Sequence, residues 1–267
     1  MKTLIKLYMQ QSYEPAGVEG IRDIVRDCLE PIGYESVVDA VGNMFLTHKN
    51  RATNTLLCAH MDMVKTGNPI AIVGNMNGIL FGLDKDYLNT SLGADDKNGV
   101  WLCIQAALTS GRYPSILLVA HEEGAPHTVD DWIANNQDVL AQYDNCLVLD
   151  RANDKEIIIG GSSKEYSHAL GAQFKTINPD WEFARGVMCD ADRLIDCIPS
   201  INLSIGYYGG HRRTEYTDVD ELKGALVAVN KWLTSTDRKR NTIDWKIIKE
   251  LETFEHEQKG YNYGVYK

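Results

Sequence analysis

The chain has 267 residues, of which 44% are hydrophobic and 24% charged, and these values are typical of a folded globular protein and exclude a disordered one. Acidic residues outnumber basic residues by 37 to 27, and the net charge of -10 disfavours nucleic acid and anionic membranes as partners. No linker or repeat interrupts the sequence, so we expect a single domain over residues 1–267.

Three further features bear on the location of the protein. No apolar run approaches the roughly 18 residues of a transmembrane helix. The first residues lack the apolar segment of a signal peptide. The six cysteines are scattered and form no CxxC pair, which favours reduced thiols in a cytoplasmic protein.

Helical and extended patterns alternate along the chain. Apolar residues recur at the helical period over residues 16–29, 97–108 and 219–233. Short apolar runs predict strands over residues 35–38, 44–47, 56–58, 116–120, 146–149 and 201–205. The charged tail after residue 238 predicts one helix and a mobile end.

Strands that alternate with helices indicate an α/β fold, with a mostly parallel central sheet and helices on both of its faces. The runs 116–120 and 146–149 are continuously apolar, which is typical of central strands covered on both sides. Ligands of such sheets bind at the carboxyl ends of the strands. The residues that follow each predicted strand therefore carry the functional information.

Side chains able to bind a metal stand at five successive strand ends or helix starts. They are His60 and Asp62, Asp95 and Asp96, Glu122 and Glu123, Asp150, and His211. Imidazole and carboxylate together form the ligand set of zinc and related metals. The set exceeds the needs of one tetrahedral site and suits two metals bridged by a shared carboxylate. Of the adjacent glutamates, one can bind metal while the other takes a proton from water.

These motifs resemble those of the co-catalytic dizinc exopeptidases and deacylases, a superfamily that includes peptidase T, carboxypeptidase G, the aminoacylases and the single-domain zinc aminopeptidases. The resemblance extends from Asp39-Ala40-Val41-Gly42-Asn43 to about Glu215 and depends on HMD at 60–62, GADDKNG at 93–99 and EEG at 122–124. It implies a zinc-exopeptidase-like core and hydrolysis of peptide bonds in small peptides. The three motifs are specific only in combination.

The resemblance also implies a role for each site residue. His60 and Asp150 hold one metal, Glu123 and His211 hold the other, and Asp95 bridges the two. Asp62 orients His60, and Glu122 is the general base. The peptide bond between Asp95 and Asp96 is expected to be cis. Two divalent ions are implied, zinc first, with cobalt or manganese also accepted by this ligand set.

The chain departs from the larger members of the superfamily, which carry an additional lid or dimerisation domain. The 35 positions from His60 to Asp95 and the 61 from Asp150 to His211 leave no room for one. By this resemblance the chain is a core-only enzyme, and it lacks the lid arginine that recognises substrate carboxylates in the carboxypeptidase-like members. This difference favours an aminopeptidase. Arg212 and Arg213, directly after His211, could instead recognise an anionic group of the substrate.

Three alternatives remain open on the sequence alone. A carboxypeptidase or an N-acyl amino acid deacylase would use the same metal centre on a substrate with a free carboxylate. A non-catalytic module would use the fold to bind a metal or a partner. The side-chain preference, the native metal and the oligomeric state are not encoded in any motif.

Overall fold

Two β-sheets organise the chain in the computed structural model, which describes residues 1–159, 165–186 and 189–235. The helices are α1 (Lys2–Tyr8), α2 (Pro15–Leu29), α3 (Ala94–Thr109), α4 (Thr128–Asn135), α5 (Gln137–Leu140), α6 (Glu165–Ile177), α7 (Asp190–Leu194) and α8 (Val219–Thr234). The helix predicted after residue 238 lies outside the described residues.

The strands of the two sheets interleave along the chain. They are β1 (Tyr34–Val38), β2 (Met44–His48), β3 (Thr55–His60), β4 (Ile72–Met76), β5 (Ile79–Leu83), β6 (Asn89–Thr90), β7 (Ser115–Val119), β8 (Asn145–Arg151), β9 (Glu156–Ile158), β10 (Glu182–Phe183), β11 (Ser200–Ser204), β12 (Tyr207–Tyr208) and β13 (Tyr216–Asp218). All six predicted strands and three predicted helices are present, with ends shifted by at most three residues.

Within the described residues, the main sheet has eight strands in the order β1-β2-β7-β3-β8-β11-β9-β10. The four central strands β7, β3, β8 and β11 are parallel, whereas β1 and β2 at one edge are antiparallel. The central strands are buried along most of their length, which explains their continuous apolar runs. The predicted α/β class with a mostly parallel sheet is confirmed.

Helices cover both faces of this sheet. Because successive strand residues point to opposite faces, Leu57 and Ala59 of β3 join one core with α1, α2, α3 and α8. Leu56 and Cys58 join the other core with Trp132 of α4 and residues of α5 and α7. All six cysteines are free thiols.

A second, smaller sheet was not predicted. Its strands have the order β12-β13-β5-β4, and β6 also pairs with β5. Three of its strands lie between His60 and Asp95, so this interval builds part of a compact sheet. The hairpin of β4 and β5 turns at Asn77-Gly78, where both residues have positive φ, as a two-residue hairpin turn requires. No helix among the described residues is long and apolar enough to cross a membrane.

Candidate metal centre

The parallel strands bring the predicted site residues to one edge of the main sheet. His60 is the last residue of β3 and pairs in register with Val119, the last residue of β7. Glu122 and Glu123 follow β7 within a few residues, and Asp150 lies near the end of the next strand, β8. The topology therefore places these four side chains side by side.

Asp95 lies between the two histidines, with one carboxylate oxygen facing each. Its Oδ1 is 3.2 Å from Nε2 of His60, and its Oδ2 is 3.3 Å from Nε2 of His211. Asp150 Oδ1 is 3.5 Å from the same His60 nitrogen, and Glu123 Oε1 is 2.6 Å from the same His211 nitrogen. The residues thus form two groups that share Asp95.

The donor atoms lie close enough together to surround cations. Ligand atoms of His60, Asp95 and Glu123 are within 4.8 Å of one another, as are those of His60, Asp96 and Asp150. Asp96 is the least available of these, because Oδ2 accepts the His60 N–H at 2.9 Å and Oδ1 accepts the Gly99 N–H at 3.0 Å. Asp96 therefore fixes the backbone of a candidate ligand. The peptide bond between Asp95 and Asp96 is cis, as the resemblance implied.

Helix α3 approaches the sheet closely enough to place Asp95 at the strand ends. A side chain at Gly99 would put its Cβ 2.0 Å from the carbonyl oxygen of Leu149, at the end of β8. Only glycine allows this contact, so α3 lies directly against β8 at Gly99, just after Asp95 and Asp96, whose backbone angles are not helical.

Asp62 holds two parts of the site together. Its Oδ1 accepts from His60 Nδ1 at 3.1 Å and from the Glu122 N–H at 2.9 Å. Its Oδ2 accepts from the Glu123 N–H at 3.2 Å. Burial alone would raise the pKa of Asp62, but the hydrogen bond from His60 holds it below its usual value.

His211 reaches the site from an exposed loop and has a left-handed backbone, with φ of 61°. This conformation is uncommon for a residue other than glycine and is concentrated at functional sites. Hydrogen bonds with Asp95 and Glu123 raise the pKa of His211 to about 10. The side chain is 49% exposed, so this side of the centre is open.

The carboxylates of the site crowd one another in a low-dielectric environment. Burial and the nearby charge of Asp95 raise the pKa of Asp150 well above its usual value. Burial also raises the pKa of Glu122. Among the described residues, no ion pair with a lysine or arginine involves Asp62, Asp95, Asp150, Glu122 or Glu123. Positive charge beside these carboxylates comes from His60 and His211, and His121 Nδ1 lies 3.8 Å from Asp62 Oδ2. The donor set therefore fits divalent cations.

The sequence reasoning missed three groups that support the site. The Tyr207 hydroxyl donates to Asp95 Oδ2 at 2.9 Å. The Glu215 carboxylate accepts from the Gly93 N–H at 2.6 Å and from the Asp95 N–H at 3.3 Å. Asn43 Oδ1 accepts the Ala120 N–H at 2.9 Å, just before the glutamates. Each of these groups is far in sequence from the residue that it contacts, so no local motif identified its role. Asn43 and Glu215 lie at the two ends of the region that resembles the exopeptidases, and this position was the only sequence signal for them.

Solved structures share this arrangement of elements. Aminopeptidase PepT from Bacillus cereus is 14% identical with a TM-score of 0.64, and the alignment covers 88% of this chain and 99% of that one. A tripeptidase from Staphylococcus aureus is 12% identical with a TM-score of 0.62, and the alignment covers 87% of this chain and 96% of that one. The TET aminopeptidase from a marine-sediment Thaumarchaeota archaeon is 14% identical with a TM-score of 0.63, and the alignment covers 90% of this chain and 99% of that one.

The chain has the fold of these aminopeptidases. No protein-family model and no curated protein matches the sequence. At such low identity the likeness establishes the fold and leaves the chemistry to the residues of this chain.

Proposed function

We propose that the protein is a metal-dependent aminopeptidase that removes the first residue of short peptides. The observation that carries this proposal is Asp95, whose two oxygens face His60 and His211 at 3.2 and 3.3 Å. A shared carboxylate between two sets of ligands is the arrangement of a two-metal hydrolytic site. The names of the structural neighbours, two aminopeptidases and a tripeptidase, support the substrate class.

The residues would divide between two divalent ions, with zinc as the proposed metal. His60 and Asp150 would hold one ion, Glu123 and His211 the other, and Asp95 would contact both. Bound ions of this kind lower the pKa of a coordinated water and polarise the carbonyl group of a substrate. Cobalt and manganese suit the same nitrogen and oxygen donors.

Glu122 is the proposed general base. Its backbone is fixed by Asp62, and no hydrogen bond among the described residues engages its carboxylate, so the side chain is free to act on water. Its raised pKa, caused by burial, brings it closer to neutral pH, where a carboxylate can both accept and return a proton. Glu122 would take a proton from the attacking water and deliver it to the leaving amine, so the peptide bond breaks with no net change in the proton count.

Asp62 and Tyr207 would act through the ligands. Asp62 accepts from Nδ1 of His60, which leaves Nε2 as the ligand nitrogen and makes it more basic. The Tyr207 hydroxyl donates to Asp95 Oδ2, the oxygen that faces His211, and so fixes the rotation of the shared carboxylate.

The test uses protein stripped by a chelator and reloaded with zinc, cobalt or manganese. The tripeptide Leu-Gly-Phe, its N-acetyl form and its C-terminal amide are incubated with each, and the products are identified by mass. An aminopeptidase releases leucine, requires metal and fails on the acetylated peptide. Release of phenylalanine would instead identify a carboxypeptidase, and cleavage of only the acetyl group would identify a deacylase.

The matched control is Glu122→Gln, which keeps the size of the side chain and removes its basicity. We expect kcat to fall by about 10²–10⁴-fold, the usual contribution of a general base, with metal content unchanged by elemental analysis. Two bound metals without turnover in the wild type on any peptide would leave a metal-binding module and refute the proposal.

A further inference from the structure

The glutamates Glu122 and Glu123 lie in a short loop whose two ends are bonded to each other. This glutamate loop, residues 121–128, follows β7 and ends at the first residue of α4. The His121 carbonyl oxygen accepts from the Thr128 N–H at 3.1 Å, and Thr128 Oγ1 accepts from the His121 N–H at 3.0 Å. Because the loop is closed in this way, the position of Glu122 depends on what holds the two ends.

One asparagine side chain contacts the backbone at both ends of the glutamate loop. Asn43 Oδ1 accepts from the N–H of Ala120, directly before the loop, at 2.9 Å, and Asn43 Nδ2 donates to the Thr128 carbonyl oxygen at 2.8 Å. The main-chain pairing of β2 with β7 reaches only to Met44 and Leu118, so the side chain of Asn43 continues it. Asn43 is fully buried, and loss of its amide group would leave both backbone groups unsatisfied.

Asp39 fixes the orientation of this amide group. Its Oδ2 accepts from Asn43 Nδ2 at 2.9 Å, and its Oδ1 accepts from the backbone N–H groups of Asn43 at 2.9 Å and Val41 at 3.0 Å. A carboxylate can only accept hydrogen bonds, so the NH2 group of Asn43 must face Asp39. The oxygen of the same amide group then faces Ala120, and both of its donors and its acceptor are paired.

The turn that carries Asn43 packs directly against the end of β7. A Cβ at Gly42, where φ is 96°, would lie 3.4 Å from the Cβ of Ala120 and 2.7 Å from Arg22 Nη2. Arg22 Nε also donates to the Gly42 carbonyl oxygen at 3.2 Å. Helix α2 therefore holds this turn from the side opposite the glutamate loop.

We infer that Asn43 is a positioning residue that acts through Glu122: by holding both ends of the glutamate loop, it sets where the Glu122 carboxylate lies beside the candidate metal centre. The inference rests on the proposed function, in which Glu122 is the base. A base must lie within hydrogen-bond reach of its proton, and a displacement of about 1 Å can cost about 100-fold in rate. Among the described residues, Asn43 makes no hydrogen bond with a candidate metal ligand, so its effect reaches the centre through the loop.

Asn202 provides a matched control, because it is a second buried asparagine that holds the backbone of the site. Its Oδ1 accepts from the Asp150 N–H at 3.1 Å, and its Nδ2 donates to Cys189 Sγ at 3.3 Å. In the described part of the chain it forms no hydrogen bond with the glutamate loop. Asn202 therefore supports a candidate metal ligand and is not expected to act through Glu122.

The test is a double-mutant cycle with Glu122→Gln, measured as release of leucine from Leu-Gly-Phe at saturating metal. In the wild-type background we expect Asn43→Ala to lower kcat by about 100-fold, with KM changed by less than about twofold. In the Glu122→Gln background it should lower kcat by less than about twofold, because no base remains to be displaced. Asn202→Ala should change kcat by the same factor in both backgrounds. An equal loss from Asn43→Ala in both backgrounds would overturn the inference, since Asn43 would then act through Glu123 or through the fold.

Asp39→Asn provides a second variant should Asn43→Ala fail to fold, because Asp39 is only partly buried. Either orientation of the new amide group places a donor against a donor, at Asn43 Nδ2 or at the backbone N–H groups. We expect kcat to fall by about tenfold in the wild-type background and by less than about twofold in the Glu122→Gln background. A fall of the same size in both backgrounds would contradict a role through Glu122.

Hydrogen exchange gives a readout that does not depend on turnover. In the metal-free proteins, the amides of Ala120, Glu122 and Glu123 should exchange about tenfold faster in Asn43→Ala than in the wild type, and at the wild-type rate in Asn202→Ala. Unchanged exchange in Asn43→Ala would overturn the inference. Faster exchange in this variant, together with a wild type that cleaves no peptide, would refute the proposed function while the hold of Asn43 on the loop stands.

Discussion

Two buried carboxylates flank the candidate metal centre, and they support it differently. Asp62 accepts from the imidazole of His60 and from the backbone of both Glu122 and Glu123. Glu215 accepts from Ser91 and from the backbone of Gly93 and Asp95, without contacting a ligand side chain. The Asp62 side therefore orients groups that would bind metal, whereas the Glu215 side fixes the start of helix α3.

This difference between Asp62 and Glu215 predicts that one carboxylate mainly supports metal binding and the other mainly supports the stability of the fold. Loss of a contact with a ligand ring is expected to alter metal affinity first, while loss of contacts with backbone amides is expected to alter the stability of the fold first. A third carboxyl group, Asp190, belongs to neither type, because its buried Oδ1 has no hydrogen-bond partner in the described residues.

The largest effect is expected from Asp190→Asn, through the pH dependence of stability. Burial raises the pKa of Asp190 from 3.8 to about 7. The pKa of Asp190 is higher in the folded protein than in the unfolded chain. The contribution of Asp190 to the stability of the fold is therefore complete below about pH 4 and is lost as the pH rises through 7. The variant should therefore gain on the order of 4 kcal/mol relative to the wild type between pH 4 and pH 8.

Urea denaturation of the metal-free proteins at both pH values measures this change. A constant difference in the free energy of unfolding across that range would show that Asp190 is paired in solution, and the contrast with Asp62 would disappear.

The next effect is expected from Glu215→Gln. The new amide group would face donors, leaving buried N–H groups of Gly93 or Asp95 unsatisfied at a cost of about 1–3 kcal/mol. The midpoint of urea denaturation should fall in the metal-free protein, where metal binding cannot contribute. An unchanged midpoint together with weaker metal binding would place Glu215 in the same class as Asp62.

Asp62→Asn should reverse that pattern. The side chain keeps its size but offers one oxygen where two accept now, and such partners of metal ligands contribute about 10–100-fold to metal affinity or activity. Competition with a chromophoric zinc chelator measures the affinity, and denaturation of the metal-free protein serves as the control. A large loss of stability with normal zinc affinity would contradict the division between the two sides.

The smallest effect is expected from Tyr207→Phe, which removes one hydrogen bond to the shared carboxylate. A loss of about 1 kcal/mol corresponds to roughly fivefold weaker metal binding. The same competition assay measures the metal affinity of this variant. We expect its affinity to be lower than that of the wild type for zinc, cobalt and manganese alike. No change would show that Asp95 is held by the Glu215 side alone.

Much of the fold could be predicted because its central strands are buried on both faces. Continuous apolar runs identified β7 and β8, and the alternation with helices then fixed the parallel class. The smaller sheet was not predicted because its strands are short and half exposed, although Asn77-Gly78 is a dipeptide typical of hairpin turns.

The site could be predicted where residues lie next to one another in sequence. The pair His60 and Asp62 and the pair Glu122 and Glu123 each carry their own context, and the topology brings them together. Tyr207 could not be recognised, because its contact with Asp95 spans 112 positions and a tyrosine beside Gly206 equally suggests packing. Long-range support of this kind becomes visible only when the strands are in place.

The buried helix α3 makes one side of the candidate metal centre more resistant to local unfolding than the other. Apart from Gln105, Leu108 and Thr109, its residues are buried, packed between the main sheet and the helices α1, α2 and α8. In hydrogen exchange, its amides should exchange only with global unfolding, whereas the loops that carry Glu123 and His211 can open locally. An ion could therefore leave and return through the loops while Asp95 stays in place, so the centre can be reloaded without refolding.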